Sequence, residues 1–163
     1  MKSTLLAVLA ALFLGSAAEA GTMSFPEDAP VASVTFPDDW DSVETDVGVR
    51  SFSADSAVAF YLDIADGKSI ETVIDGAMTF LKDNGVTVDE ATQTSKDGNV
   101  SGMTASMISF DGKDESGPAT IQIGFIVTGP DKALVFTYWG TKGEEEPHQP
   151  EIDAIMTSIK PAG

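Results

Sequence analysis

Apolar side chains recur along the chain with two spacings, one typical of helices and one typical of strands. The helical spacing is clearest after residue 69, where one helix face would collect six apolar side chains: Ile70, Val73, Ile74, Ala77, Met78 and Leu81. Ser69 before this stripe is a candidate N-cap, and Asn84-Gly85 after it is a typical helix end. The pattern therefore predicts a helix between these two signals.

A second helical stripe lies near the end of the chain. Its apolar positions are Ile152, Ile155, Met156 and Ile159. Lys160 follows in what would be the last turn, and Pro161 would stop the helix. A closing helix that reaches Lys160 is therefore predicted.

The remaining segments alternate between apolar and polar residues, which predicts strands. The predicted strands cover residues 31–36, 47–53, 56–64, 86–94, 99–110, 119–128 and 133–140. Turn-forming clusters separate the last four, among them Lys96-Asp97-Gly98, so neighbouring strands should pair antiparallel. We expect an α+β fold in which an antiparallel sheet of six or seven strands is covered by two main helices, an α/β/α sandwich of order ββ(β)αββββα.

The first residues have the organisation of a secretory signal peptide. Lys2 gives a basic start, residues 5–14 form an uncharged apolar run, and Ala18-Glu19-Ala20 places small residues where a signal peptidase would cleave. We expect cleavage after Ala20, then an extended lead-in over residues 21–30 and a single domain over residues 31–163. The apolar run is too short for a spanning helix of about 20 residues, so no stable membrane insertion is expected after leader removal.

The composition is strongly acidic. The chain has 26 Asp and Glu residues against 9 Lys and Arg, which gives a formal net charge of −17. A surface of this sign repels phosphate backbones, so nucleic acid is not expected as a partner. The chain also has no cysteine, which excludes disulfides and thiolate catalysis. An exported, cysteine-free protein of this length fits the bacterial periplasm or a secreted location.

One acidic segment, Phe36-Pro37-Asp38-Asp39-Trp40-Asp41, places three carboxylates directly after an apolar strand. Proline followed by two aspartates is a typical turn composition, so a turn is the first interpretation. The second interpretation is a divalent-cation site formed by Asp38, Asp39 and Asp41. The segment lacks the regularly spaced acidic pattern of a calcium loop, so any such cation would be held weakly.

Aromatic residues supply candidate contact positions for a partner. Tyr61, Trp40, Tyr138 and Trp139 could together form an aromatic binding surface, although strand aromatics more often pack in a core. Tyr138 and Trp139 are adjacent in a strand, so they point to opposite faces of the sheet. We predict that Trp40, Tyr138 and Trp139 include the binding residues, and that the more exposed of the adjacent pair makes the contact.

His148 is the only histidine, and it follows Glu144-Glu145-Glu146-Pro147. A single histidine cannot form a closed zinc site, and neither a G-x-S-x-G nor an S-x-x-K nucleophile motif is present. A solvated loop that leads into the last helix is the preferred interpretation of this segment. We therefore predict no catalytic residues and no cofactor, and we keep a hydrolase that depends on carboxylates or His148 as a lesser alternative.

Several short motifs together resemble the PsbP-like superfamily. They are a first strand that ends in FP with an acidic run to Trp40, an early helix of the type IETVIDGAMTFLKDNG, a run of long hairpins, and a closing IDAIMTSIKP. The likeness spans residues 31–161. The superfamily includes extrinsic photosystem proteins, a Ran-binding nuclear factor and bacterial DcrB-like envelope proteins, and the exported bacterial DcrB-like branch fits the leader best.

The resemblance implies an accessory or binding role, and it offers no defined active site to carry over to this chain. We expect an exported, non-catalytic accessory protein of the bacterial envelope that acts through contacts with another, unidentified envelope protein. The alternative is a small-molecule or divalent-cation binding protein.

Overall fold

Strands make up most of the computed structural model, which describes residues 21–65 and 68–162. The strands are β1 Gly21–Phe25, β2 Ala32–Phe36, β3 Asp41–Glu44, β4 Gly48–Phe52, β5 Val58–Ile64, β6 Thr87–Val100, β7 Met103–Lys113, β8 Pro118–Gly129, β9 Lys132–Thr141 and β10 Lys160–Pro161. The helices are α1 Ile70–Asp83 and α2 Gln149–Ser158, the second preceded by a short 3-10 turn, Glu146–His148.

The strands form two antiparallel sheets. The larger has seven strands in the order β3-β4-β5-β9-β8-β7-β6, and the smaller has three in the order β1-β2-β10. The long strands β7, β8 and β9 follow one another through tight turns, as their alternating apolar pattern predicts.

Each face of the large sheet is covered by a different layer. On one face, the buried side chains of α1 pack against apolar side chains of the sheet, among them Phe110, Ile121, Ile123 and Val135. On the other face, α2 and the small sheet together cover a second core that includes Phe60, Leu62, Leu134 and Phe136. The predicted α+β sandwich, with one helix on each side of the sheet, is confirmed.

Helix α1 begins and ends where its sequence signals lie. The Oγ atom of Ser69 accepts a hydrogen bond from the backbone N–H of Thr72 at 3.2 Å, which satisfies one free donor of the first turn. At the other end, Gly85 has a φ of 78°, and the N–H of Val86 donates to the Leu81 carbonyl. Val73, Ala77 and Leu81 of the predicted stripe are buried.

An extended lead-in was expected over residues 21–30, but its first five residues form strand β1. Gly21–Phe25 pairs along its full length with β2, and Phe25 is completely buried in the core beneath α2. Residues 21–25 therefore belong to the folded domain, which was predicted to begin near Val31. Because β1 has one buried residue at its end and mostly exposed ones before it, its short pattern carries no visible alternation.

Two further sequence expectations about strands are wrong. Within the described residues, five strands precede α1, where two or three were predicted, because β1 and the four-residue β3 are too short to show a period. The predicted turn at Lys96-Asp97-Gly98 lies inside β6, which pairs with β7 throughout that stretch. The chain instead reverses at Ser101 and Gly102, whose φ angles of 51° and 87° suit a two-residue hairpin.

Helix α2 is shorter than predicted. It ends at Ser158, and Ile159 already has an extended backbone with ψ of 126°. Lys160 and Pro161 then pair with β2 as β10. The residue before a proline disfavours the helical conformation, which explains why the helix cannot continue to Lys160.

The predicted signal peptide and its cleavage site after Ala20 lie outside the described residues. Among the helices of residues 21–65 and 68–162, none is long and apolar enough to cross a membrane.

Candidate functional site

Four aromatic rings meet on the face of the large sheet that carries α1. Phe52 on β4 and Trp139 on β9 lie on either side of Ala59 on β5, Tyr61 lies two residues further along β5, and Phe80 reaches them from α1. The Tyr61 ring stacks on Trp139 with 5.6 Å between centroids, and it meets Phe80 and Phe52 edge to face at 4.7 Å and 5.9 Å. We call these four residues the aromatic cluster. Tyr61 is buried within it, and the other three rings are half-buried.

A positive charge lies against the aromatic cluster. Arg50 is the only arginine of the chain, and its guanidinium carbon is 5.3 Å from the centroid of the Phe52 ring. Burial raises the pKa of the Tyr61 hydroxyl, and a hydrogen bond with Arg50 opposes that rise. A guanidinium over an aromatic face can bind both an apolar and an acidic group of a partner.

Helix α1 leaves part of this face open. Its buried side chains pack on residues of β7, β8 and β9, and within the described chain no residue of β3 or β4 belongs to that core. Val43 on β3 is half-buried, and Val47 in the β3–β4 turn is 54% exposed. We define the aromatic surface as the partly exposed side chains of this region: Val43, Val47, Arg50, Phe52, Phe80 and Trp139.

Beside the aromatic surface, a cleft of about 330 Å³ opens between α1 and strands β5 and β9. Apolar side chains such as Val73 and Phe80 form its walls, and Asp63 and Thr137 supply polar groups. Burial raises the pKa of Asp63 to about 6, although the neighbouring Lys68 opposes the rise. We call this feature the α1 cleft.

His148 lies at the opposite face, between two carboxylates. Its Nδ1 is 2.6 Å from Glu151 Oε2, and its Nε2 is 3.0 Å from Asp55 Oδ2. Hydrogen bonds to Asp55 and then to Glu151 raise the pKa of His148, and the His148 hydrogen bond holds the pKa of Asp55 well below its usual range. When His148 is protonated, both ring nitrogens donate, and the imidazolium links the β4–β5 turn to the start of α2.

The acidic segment after β2 forms the predicted turn. The backbone N–H of Trp40 donates to the Pro37 carbonyl at 3.1 Å, and β3 begins at Asp41. Over the described residues, no three His, Asp or Glu side chains are grouped so that they could hold a metal ion. The structure therefore does not bring Asp38, Asp39 and Asp41 together as a set of ligands.

The three aromatic residues predicted to contact a partner do not lie on one face of the large sheet. Trp40 is 5% exposed and packs edge to face against His148, and its Nε1 donates to Glu151 at 3.3 Å. Tyr138 is also buried, in the core beneath α2. Trp139 points to the other face and is half-buried, so the expected opposite orientation of Tyr138 and Trp139 is confirmed. Of the three, only Trp139 belongs to the aromatic surface.

The loop before α2 is not fully solvated, contrary to expectation. Glu145 is only 8% exposed, and its Oε2 atom is buried with no hydrogen-bond partner among residues 21–65 and 68–162. The N–H of Glu145 donates to the Thr141 carbonyl, which turns this side chain inward over Gly140. Glu144 and Glu146 are the exposed members of the run.

Sequence reasoning missed four residues of this face: Arg50, Phe52, Phe80 and Asp63. The alternation of β5 offered a signal for Asp63, because Val58, Phe60, Leu62 and Ile64 mark one face and leave Tyr61 and Asp63 on the other. Phe80 follows Val73 by seven residues and so lies at the edge of the apolar stripe of α1, but only tertiary packing shows that it reaches Tyr61.

No protein-family model matches the sequence, and no curated protein matches it either. Solved structures do match. Cyanobacterial PsbP from Synechocystis sp. PCC 6803 is similar over 96% of this chain and 99% of its own, with a TM-score of 0.58 and 11% identity. LpqN, involved in cell envelope biogenesis of Mycobacterium tuberculosis, is similar over 89% of this chain and 92% of its own, with a TM-score of 0.56 and 11% identity.

The fold is PsbP-like. A protein from Bacteroides thetaiotaomicron also matches 81% of this chain with a TM-score of 0.54 and 12% identity, but this chain spans only 45% of its length. Identities this low establish a shared fold and nothing finer. The family resemblance stated from the sequence motifs is thus confirmed at the level of the PsbP-like fold.

Proposed function

We propose that this protein is a non-catalytic accessory protein of the bacterial envelope that binds another envelope protein through the aromatic surface. The observation that carries the proposal is the uncovered part of the α1 face, where three half-buried aromatic rings and the only arginine lie together. Aromatic residues and arginine are enriched at protein interfaces, and they supply most of the binding energy there.

The fold and the leader support this location and role. The PsbP-like fold is shared with LpqN, a protein involved in cell envelope biogenesis of Mycobacterium tuberculosis. The basic start, apolar run and small residues before Gly21 predict export. Export would bring the aromatic surface into the compartment where an envelope partner is found.

The arrangement of His148 supports a role without catalysis. A general base needs a free ring nitrogen, and both nitrogens of His148 are bound to carboxylates. The hydrolase alternative depends either on carboxylates or on His148, and these contacts argue against the form that depends on His148. The contacts of His148 instead fit a structural link.

Site-specific photocrosslinking in cells of the native host tests the proposal. The photoreactive amino acid p-benzoylphenylalanine would replace Val43 on the aromatic surface or, as a control, Asp153 on the exposed side of α2. We expect a discrete adduct with an envelope protein from position 43 and none from position 153. Equal adducts from both positions, or none from position 43, would contradict the proposal.

A second experiment tests whether the adduct depends on Arg50 of the aromatic surface. Replacing Arg50 by Ala removes the charge over Phe52 and should reduce the adduct from position 43 by about tenfold or more. Lys132→Ala removes an equal charge from the exposed first residue of β9 and should leave the adduct unchanged. An adduct that survives Arg50→Ala at full yield would place the contact elsewhere.

A further inference from the structure

The α1 cleft has the form of a small-molecule site. Its volume of about 330 Å³ lies at the lower end of the range for ligand pockets, and most of its walls are apolar. Val73 and Phe80 of α1 form one wall, and Val135 of β9 lies on the sheet side. The cleft therefore suits a compact ligand with an apolar body.

Two polar groups of the cleft have no hydrogen-bond partner in the described part of the chain. Asp63 is half-buried on β5, with its carboxylate over the backbone of Gly48, where a Cβ would come within 2.9 Å of Oδ1. Thr137 is 3% exposed on the neighbouring strand β9. A polar group in such surroundings binds a ligand that completes its hydrogen bonds.

The charge of Asp63 selects the class of ligand. An anion would be repelled by the carboxylate and by the acidic protein as a whole, whose net charge is −17. A neutral apolar molecule would remove water from the carboxylate and leave it unpaired, which is unfavourable. An ammonium group donates hydrogen bonds and balances the charge at once.

We propose that the α1 cleft binds a small organic amine, whose ammonium group pairs with Asp63 and Thr137 while its apolar body lies against Phe80 and Val73. This inference goes beyond the proposed protein contact and does not depend on it. Lys68, at the rim of the cleft, is a nearby positive charge that competes with such a ligand for Asp63.

The test uses the ¹⁵N-labelled protein and three probes of the same size and different charge: benzylamine, benzyl alcohol and benzoate. Amide chemical shifts in two-dimensional NMR spectra locate and quantify binding. We expect saturable shifts from benzylamine around Asp63, Ala77 and Val135, and binding of the other two probes weaker by about tenfold or more. Equal affinities for all three probes, or benzylamine shifts only outside the cleft, would overturn the proposal.

Three variants test the role of Asp63. Asp63→Asn keeps the shape and removes the charge, and it should weaken benzylamine binding by about tenfold or more. Asp39→Asn makes the same charge change in the exposed β2–β3 turn and should have no effect. Lys68→Gln removes the competing charge and should tighten binding. Benzylamine affinity that is unchanged in a folded Asp63→Asn variant would overturn the proposal.

Discussion

His148 shows how one side chain can hold separate parts of this chain together. It contacts Asp55 in the β4–β5 turn, Glu151 in α2 and the ring of Trp40 after β2. The sequence predicted a solvated loop here, because Asp55, one of its two carboxylate partners, is distant along the chain. Asp55 lies 93 positions away, and only the folded chain brings it within reach.

This contact predicts a dependence of stability on pH. The folded pKa of His148 lies above the ordinary value of 6.5, so its contribution is complete below pH 6.5 and is lost as the pH rises through the folded value. The folded pKa of Asp55 lies below its ordinary value of 3.8, so its contribution is present above pH 3.8 and is lost as the pH falls through the folded value.

We therefore expect His148→Gln to lower the free energy of unfolding most between pH 4 and pH 6.5, by about 1 kcal/mol for this partly exposed group. The loss should shrink as the pH rises toward 9. Urea unfolding curves of wild type and variant across this range measure it. A difference that grows with rising pH would show that the charged histidine is not the stabilising form.

Asp63 should lower the stability of the folded protein as the pH rises, which is the opposite of the behaviour of Asp55. Its folded pKa of about 6 lies above its ordinary value of 3.8, because burial disfavours the carboxylate, with Lys68 and Tyr61 as its charged or titratable neighbours. The free energy of unfolding then falls as the pH rises from 3.8 to about 6. Asp63→Asn should remove this fall.

At pH 8 we expect Asp63→Asn to be more stable than wild type by about 1–2 kcal/mol, a value reduced from the full shift because the group is partly solvated. Below pH 4 the two proteins should be about equally stable. Urea unfolding at pH 4 and pH 8 measures the difference, and Asp39→Asn in the exposed turn serves as the control. A variant that is less stable at pH 8 would contradict the expectation.

At the scale of elements, helix α1 was predictable because its signals are local. The Ser69 cap, the apolar stripe and Asn84-Gly85 all lie within the helix or next to it. The β6–β7 hairpin was not predictable in the same way. Lys96-Asp97-Gly98 has the composition of a turn, but its residues pair with Ser106 and its neighbours on β7, so a long-range register decides where the chain reverses.

The N-cap of α1 can be tested directly. Ser69→Ala removes the acceptor for the Thr72 N–H and should lower the free energy of unfolding by about 1 kcal/mol. Ser95→Ala changes an exposed serine on the edge strand β6 and should shift it by less than about 0.5 kcal/mol. Chemical denaturation measures both. Equal effects would mean that the Ser69 hydroxyl does not cap the helix.

At the scale of the whole molecule, the alternating pattern was sufficient to predict the three layers. Adjacent residues such as Tyr138 and Trp139 pack in different cores, so each long strand contributes to both faces. The small sheet was not predictable, because β1 and β10 have five and two residues, too few to show a period. The sequence predicted Trp139 as a contact residue of the aromatic surface. It could not predict that α1 leaves the neighbouring area of the sheet uncovered.

The contribution of β1 gives a prediction at this scale. Phe25 is completely buried against the core beneath α2, so Phe25→Ala should lower the free energy of unfolding by about 3–5 kcal/mol. Thr22→Ala removes an exposed hydroxyl contact with Thr35 and should cost less than about 1 kcal/mol. Denaturant unfolding of both variants measures the difference. A Phe25→Ala variant as stable as Thr22→Ala would restore the view of residues 21–30 as a dispensable lead-in.

Strand β2 pairs with the first and the last strand of the described chain. Gly21 pairs with Phe36 at one end of that strand, and Pro161 pairs with Ala32 at the other. A fusion partner or a sensor-chip linkage attached at Gly21 or at Ala162 would therefore emerge on the side of α2. The protein can be immobilised through either position while Trp139 and Arg50 still face the bulk solution.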